Sequence, residues 1–164
     1  MIQYIKGDAT SPKLSQGETG LVAHVVNTRG GWGRGFVLAV SSRWYQPEAA
    51  YRRWHRTGFN EQGEPFRLGN IQYQRVEPQL YVVNMLAQAG YLKGRSRLEA
   101  PAAIRLDALE ACLEQLARLA CQLEASVHMP RIGTGLGGGS WDLIEPVIDR
   151  QLKALVVTVY DYSV

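Results

Sequence analysis

Apolar residues in this chain fall into two alternating patterns. Residues 21–26, 80–86 and 155–161 are nearly continuous apolar runs of strand length, which predicts strands covered on both faces. Residues 2–6 and 68–76 read as further strands, and the short run ending at Met129 as another, with Glu77, Pro78 and Gln79 as the turn between 68–76 and 80–86. Between them the period changes. Residues 36–44 and 47–56 look helical, with Pro47 in a first turn where its missing amide hydrogen costs nothing. Residues 104–123 carry an apolar stripe of Leu109, Cys112, Leu113, Leu116, Leu119, Ala120 and Leu123, with Asp107, Glu110, Glu114 and Arg118 opposite. Ser140 is placed to cap a last helix, which Pro146 is expected to split into a short turn and a helix proper. Strands alternating with helices predict a three-layer α/β/α domain around a mixed, largely parallel sheet, one domain over residues 1–164.

What lies between strand and helix carries the chemistry. After Met129 the chain reads Pro130, Arg131, Ile132 and then five glycines between Gly133 and Gly139 before the helical pattern resumes. Such a loop gathers backbone amides at a helix N-terminus, an anion-binding arrangement, and phosphate is the expected guest. Asn27 opens a second loop of this kind, through Thr28, Gly30, Gly31, Trp32, Gly33 and Gly35 to Phe36. Two such loops predict a ligand with two phosphates, or a phosphate and a sugar. Trp32 is either a lid over the ligand or a residue packed beneath the loop. Asp8 follows the first strand, where turn formation is its plain role. Asn84 and Gln88 are read near a strand end, either facing a ligand or tying down the loop. His24, inside an apolar run, is read as a hydrogen-bonded interior residue.

The net charge of +3 suits a phosphate-bearing ligand but falls short of the basic stripe of a protein that holds nucleic acid by charge. No apolar run approaches membrane-spanning length and residues 1–6 read as a strand rather than a signal peptide, so a cytoplasmic protein is expected. Cys112 and Cys121 lie on opposite helix faces, about 13 Å apart along the axis, and cannot bridge. His24, His55 and His128 have no ligand spacing, so neither a metal nor a cofactor is expected.

These residues together resemble the macrodomain family, which binds ADP-ribose. The likeness runs through Gly7-Asp8, Val26-Asn27 and the loop to Gly35, Ile132 to Leu136, and Tyr160-Asp161. Met129 to Leu136 followed by Trp141 is most similar to the branch that includes the terminal ADP-ribose protein glycohydrolase. The resemblance implies that Asp8 accepts from the adenine amino group with the Ala9 amide nearby, and that Tyr160 stacks on or beside adenine. It implies that Gly133, Thr134, Gly135, Leu136, Gly137 and Gly138 wrap the diphosphate. Asn27, Thr28, Gly33, Gly35 and Phe36 would hold the distal ribose and its phosphate.

That glycohydrolase uses a lysine and an acid, and the matching positions here are Met85 and Gly137, which supply neither amine nor carboxylate. Lys93 is a poor substitute on geometry. The expectation is therefore a monomeric protein that takes ADP-ribose, or ADP-ribosylated protein or nucleic acid, and hydrolyses the linkage with a water positioned by loop and substrate, Asn27 and Asn84 holding that water or the ribose. The alternatives are a non-catalytic reader of ADP-ribose and a phosphatase acting on an ADP-ribose phosphate. A dinucleotide oxidoreductase is suggested by Gly133, Gly135 and Gly138, but their late position argues against it. Arg29, Arg34, Arg95 and Arg97 either border the crevice or are simply solvated.

Overall fold

The computed structural model describes residues 2–90, 104–135 and 138–162. Their strands are β1 (Ile2–Lys6), β2 (Thr19–Asn27), β3 (Ile71–Glu77), β4 (Leu80–Gln88), β5 (Ala125–Met129) and β6 (Val157–Asp161), ordered β1-β6-β5-β2-β4-β3 in one sheet. β1, β6, β5, β2 and β4 run parallel, and β3 pairs antiparallel to β4 at the edge. The helices are α1 (Phe36–Arg43), α2 (Gln46–Thr57), α3 (Leu106–Leu123) and α4 (Trp141–Gln151).

The apolar runs follow from coverage on both faces. Val22, Val26, Val82 and Leu86 pack beneath Val40 of α1 and Tyr51 and Trp54 of α2. Leu21, Ala23, Val83, Met85, Val127 and Val159 point the other way, into a core closed by Leu109, Leu113 and Leu116 of α3 and by Ile144 and Ile148 of α4. Each fully buried leucine of α3 contributes about 1.5–3 kcal/mol relative to exposure. The exposed Glu114–Arg118 pair at 3.3 Å adds only a few tenths, about 0.3–0.5 kcal/mol. Burial, not surface charge, fixes α3 on the sheet.

Three of the departures from the periodicity have a plain physical cause. β3 begins at Ile71, because Gly69 takes a φ of +99° and its amide donates to Leu86 O at 2.8 Å, turning the chain before the strand starts. β4 continues to Gln88, carried by its pairing with β2. Pro146 does not split α4, which runs unbroken from Trp141 to Gln151. The lost hydrogen bond near the helix start is offset by Ile144, Val147 and Ile148, buried on either side of it.

The topology also places a crevice. From β2 the chain crosses by α1 and α2 toward β3 and β4, while from β5 it crosses by α4 to β6 on the other side. β2 and β5 are neighbours, so their carboxyl ends form a switch point, where open α/β sheets bind ligands.

Candidate functional site

Both glycine loops leave the sheet at this switch point. Asn27 ends β2, and its side chain is spent on its own loop: Oδ1 accepts from Arg29 N at 2.8 Å and Gly31 N at 3.3 Å, and Nδ2 donates to Gly31 O at 2.9 Å. Tyr51 of α2, fully buried, donates toward Asn27 O, and its oxygen accepts from Gly30 N at 3.1 Å. Gly30 has a φ of +79°, and a Cβ there would meet the His55 ring at 2.6 Å, so only glycine fits. Thr28 fastens the loop to β4, its amide donating to Gln88 O at 3.0 Å and its Oγ1 accepting from Gly90 N at 3.0 Å. Gln88 donates to Gly90 O at 2.7 Å, so it ties down the loop rather than facing the crevice. Trp32 is 3% exposed, donates to Ser41 Oγ at 2.7 Å and sits edge-on to His24; it packs beneath the loop and is no lid. Half-buried Phe36 packs against His24 at 5.7 Å.

The second loop leaves β5. Gly139 N donates to Gly133 O at 2.8 Å and Gly138 N to Gly135 O at 3.0 Å, while Thr134 Oγ1 donates to Arg131 O. A Cβ on Gly139 would lie 2.7 Å from Ile104 and 2.9 Å from Gly133 O, so packing demands this glycine. Gly33 and Gly135 are different. Neither has a left-handed φ, and among the described residues nothing lies within 4 Å of a Cβ built on either. Leu136 and Gly137 of the expected diphosphate loop lie outside the described residues, as do Lys93, Arg95 and Arg97. The helices that follow, α1 after Gly35 and α4 after Ser140, have no side-chain hydrogen bond at their N-caps; Ser140 holds the expected place but only through its carbonyl. Their first amides are left for a ligand or water.

At the ends of β1 and β6, Gly7 N donates to Asp161 O at 2.9 Å. Asp8 forms the turn that its residue type suggests, its Oδ1 accepting from Thr10 N and Thr10 Oγ1. Ala9 beside it is 2% exposed. Tyr160 departs from expectation: its ring is 4% exposed, under Gly7, and offers no open stacking face. Its hydroxyl sits 2.7 Å from His128 Nδ1, whose other nitrogen meets Ser126 Oγ at 2.8 Å, and burial pushes the phenol pKa up and that of His128 down. The open ring is Tyr162, 73% exposed. Because Lys6 pairs with Asp161, Tyr162 falls level with Gly7, one residue from Asp8. The alternation of Tyr160 and Tyr162 about Asp161 was the signal for it. Nearby, Arg131 holds Asp161 at 2.6 Å and lies over the rings of Tyr4 and Trp141; the guanidinium keeps the Asp161 carboxyl below its usual range.

Asn84 is corrected outright. It lies in the middle of β4, not at a strand end, and is wholly buried. Its Nδ2 donates to Gln72 Oε1 at 2.9 Å and Pro47 O at 3.2 Å, so its Oδ1 must accept from His24 Nε2 at 2.5 Å. Every polar atom is used within the sheet or against α2, and none reaches the crevice. His24 thereby carries a proton on Nε2, and burial pulls its pKa down to about 4, which keeps the ring neutral near pH 7. Met85 is also fully buried, on the α3 side.

No protein-family model matches the chain. A protein of unknown function from Bacteroides thetaiotaomicron is 46% identical, with 98% of each chain covered and a TM-score of 0.87. A macrodomain protein from Streptomyces coelicolor is 45% identical over 99% of this chain and 100% of its own, with a TM-score of 0.82. The curated chromodomain-helicase-DNA-binding protein 1-like of Danio rerio is 29% identical over 98% of this chain, which spans only 16% of that relative's length. An ADP-ribose 1''-phosphate phosphatase of Candida albicans is 22% identical over 92% of this chain and 93% of its own.

Proposed function

This chain belongs to the macrodomain family, and from that premise we propose that it binds ADP-ribose across the crevice between the β2 and β5 loops and removes it from modified protein or nucleic acid. The observation that carries the reading is the pair Gly33 and Gly135. Neither backbone conformation nor packing among the described residues calls for glycine there, and close approach of a ligand to the main chain does. The β5 loop and the uncapped start of α4 receive the diphosphate, and the β2 loop and the start of α1 receive the distal ribose. Asp8 accepts from the adenine amino group, and Tyr162 rather than Tyr160 supplies the ring against the base.

The run from Met129 to Leu136 with Trp141 resembles the terminal ADP-ribose protein glycohydrolase branch, but with Met85 where that branch has its lysine and Gly137 where it has its acid. Asn84 is withdrawn as a catalytic residue, and Asn27 acts by shaping the loop. Hydrolysis then rests on a water held by the β2 loop and the ligand's own diphosphate and ribose hydroxyls. A second reading, a phosphatase on an ADP-ribose phosphate, is favoured by the phosphatase relative, which matches over nearly the whole chain.

Titration with ADP-ribose, run beside release assays on acid-linked protein, ADP-ribosylated DNA and ADP-ribose 1''-phosphate, separates these readings. Release of ADP-ribose supports the hydrolase, release of phosphate alone the phosphatase, and binding without release a reader. Gly135→Ala is expected to weaken ADP-ribose binding about tenfold or more while Tm moves by less than about 3 °C, the shift of a change of about 1 kcal/mol or less. Unchanged affinity in that variant would remove the ligand from the β5 loop.

A further inference from the structure

The β2 loop is held at two points by a ring of side chains from α1 and α2. Trp32 Nε1 donates to Ser41 Oγ of α1 at 2.7 Å, and Ser41 Oγ donates to Glu48 Oε1 of α2 at 2.9 Å. Arg52 of α2 then donates from Nε to Glu48 Oε2 at 2.9 Å and from Nη1 to Gly30 O at 3.2 Å. An indole and a guanidinium only donate and an ionised carboxylate only accepts, so Ser41 must accept from Trp32 and donate to Glu48. The Arg52 guanidinium, helped by the Ser41 hydroxyl, holds the Glu48 carboxyl below its usual range. The plain role of Glu48 and Arg52 is an ion pair four residues apart on a helix face, which contributes little when exposed. That role needs neither the Ser41 hydroxyl nor the Gly30 carbonyl. The ring closes on residues 30 and 32 and ends there, because at Gly33 nothing among the described residues lies within 4 Å of a built Cβ. The loop is fixed up to the residue at which it opens.

We propose that Ser41, Glu48 and Arg52 are positioning residues for the distal ribose: by clamping Gly30 and Trp32 they set where Gly33 begins, and with it the contact that the β2 loop makes to the second sugar. The inference rests on the ADP-ribose reading and deepens it. The hydrogen bonds of the ring run to the β2 loop and, among the described residues, to neither the β5 loop nor Asp8. Loss of the ring therefore falls on the sugar contact and spares the diphosphate and adenine contacts. Misplacing a positioning group by about 1 Å is enough to forfeit what it contributes.

The test is calorimetric titration of the intact protein with ADP-ribose and with ADP, which lacks the second sugar. The wild type is expected to prefer ADP-ribose by about tenfold or more. Ser41→Ala, Glu48→Ala and Arg52→Met should each shrink that preference to within about threefold, by weakening ADP-ribose while the affinity for ADP holds. Ser41→Thr, which keeps the hydroxyl, should retain it. A preference absent from the wild type, one that survives all three variants, or a loss shared equally by both ligands overturns the role of the ring and leaves the binding function standing. Failure of the wild type to bind either ligand overturns the function and the ring with it. Arg52 is half-exposed, so Arg52→Met carries the test should Ser41→Ala not fold.

Discussion

Tyr51 is wholly buried, yet its hydroxyl holds the crevice loop, taking the Gly30 amide and donating toward Asn27. Tyr51→Phe leaves the ring packing in place and strands a buried amide, which costs about 1–3 kcal/mol. Urea unfolding should show that loss, and titration should show ADP-ribose binding weakened about tenfold through a loosened β2 loop; an affinity unchanged in the face of lost stability would make Tyr51 a core residue only. Asn27 was legible in the sequence because it ends an apolar run before a glycine loop. Tyr51 was not, since an aromatic on a helix face looks like core whether or not its oxygen has work. Asn84 was misread for a related reason. The apolar run puts it near a strand end, but pairing carries β4 on to Gln88, which leaves Asn84 mid-strand beside His24 and Gln72 of the neighbouring strands.

Across β3, β4 and β2 these side chains form a row, Gln72 to Asn84 to His24, and the row makes the sheet sensitive to acid. His24 has a folded pKa of about 4, below its ordinary 6.5. Above 6.5 the ring is neutral folded and unfolded alike. Between 6.5 and 4 the unfolded chain binds a proton that the folded one refuses, so unfolding free energy should fall as pH is lowered, by about 3 kcal/mol in all. Chemical denaturation across that window checks it, and His24→Asn should make the profile shallower, leaving the part that the buried His128 contributes. The strands themselves were readable because burial on both faces writes an unbroken apolar run. Their ends were not, because pairing with β2 carries β4 past Leu86; nor was the unbroken α4, where the core on either side of Pro146 outweighs one lost helical bond.

For the molecule as a whole, the two glycine loops and their convergence on one ligand were legible in the sequence, but the strand order that brings them together was not. Their meeting depends on β2 and β5 being adjacent with their crossovers diverging, and strand order is set by tertiary packing rather than by any local pattern. The want of space at Gly139 has a mechanical consequence. Ile104 fills that space; it also pairs with Gln88 at the end of β4, and the next amide, Arg105 N, donates to Ala87 O at 2.9 Å. The loop therefore rests on the side chain of a residue whose own backbone is fastened to β4 ahead of α3, which couples the two mechanically. Hydrogen exchange resolves such linked openings. Saturation with ADP-ribose is expected to slow exchange at the Gly139 and Arg105 amides by the same factor, whereas slowing at Gly139 alone would mean that the loop opens independently of α3. Where the two move in step, a ligand held by the glycines is sensed at the first turn of a helix that it never touches.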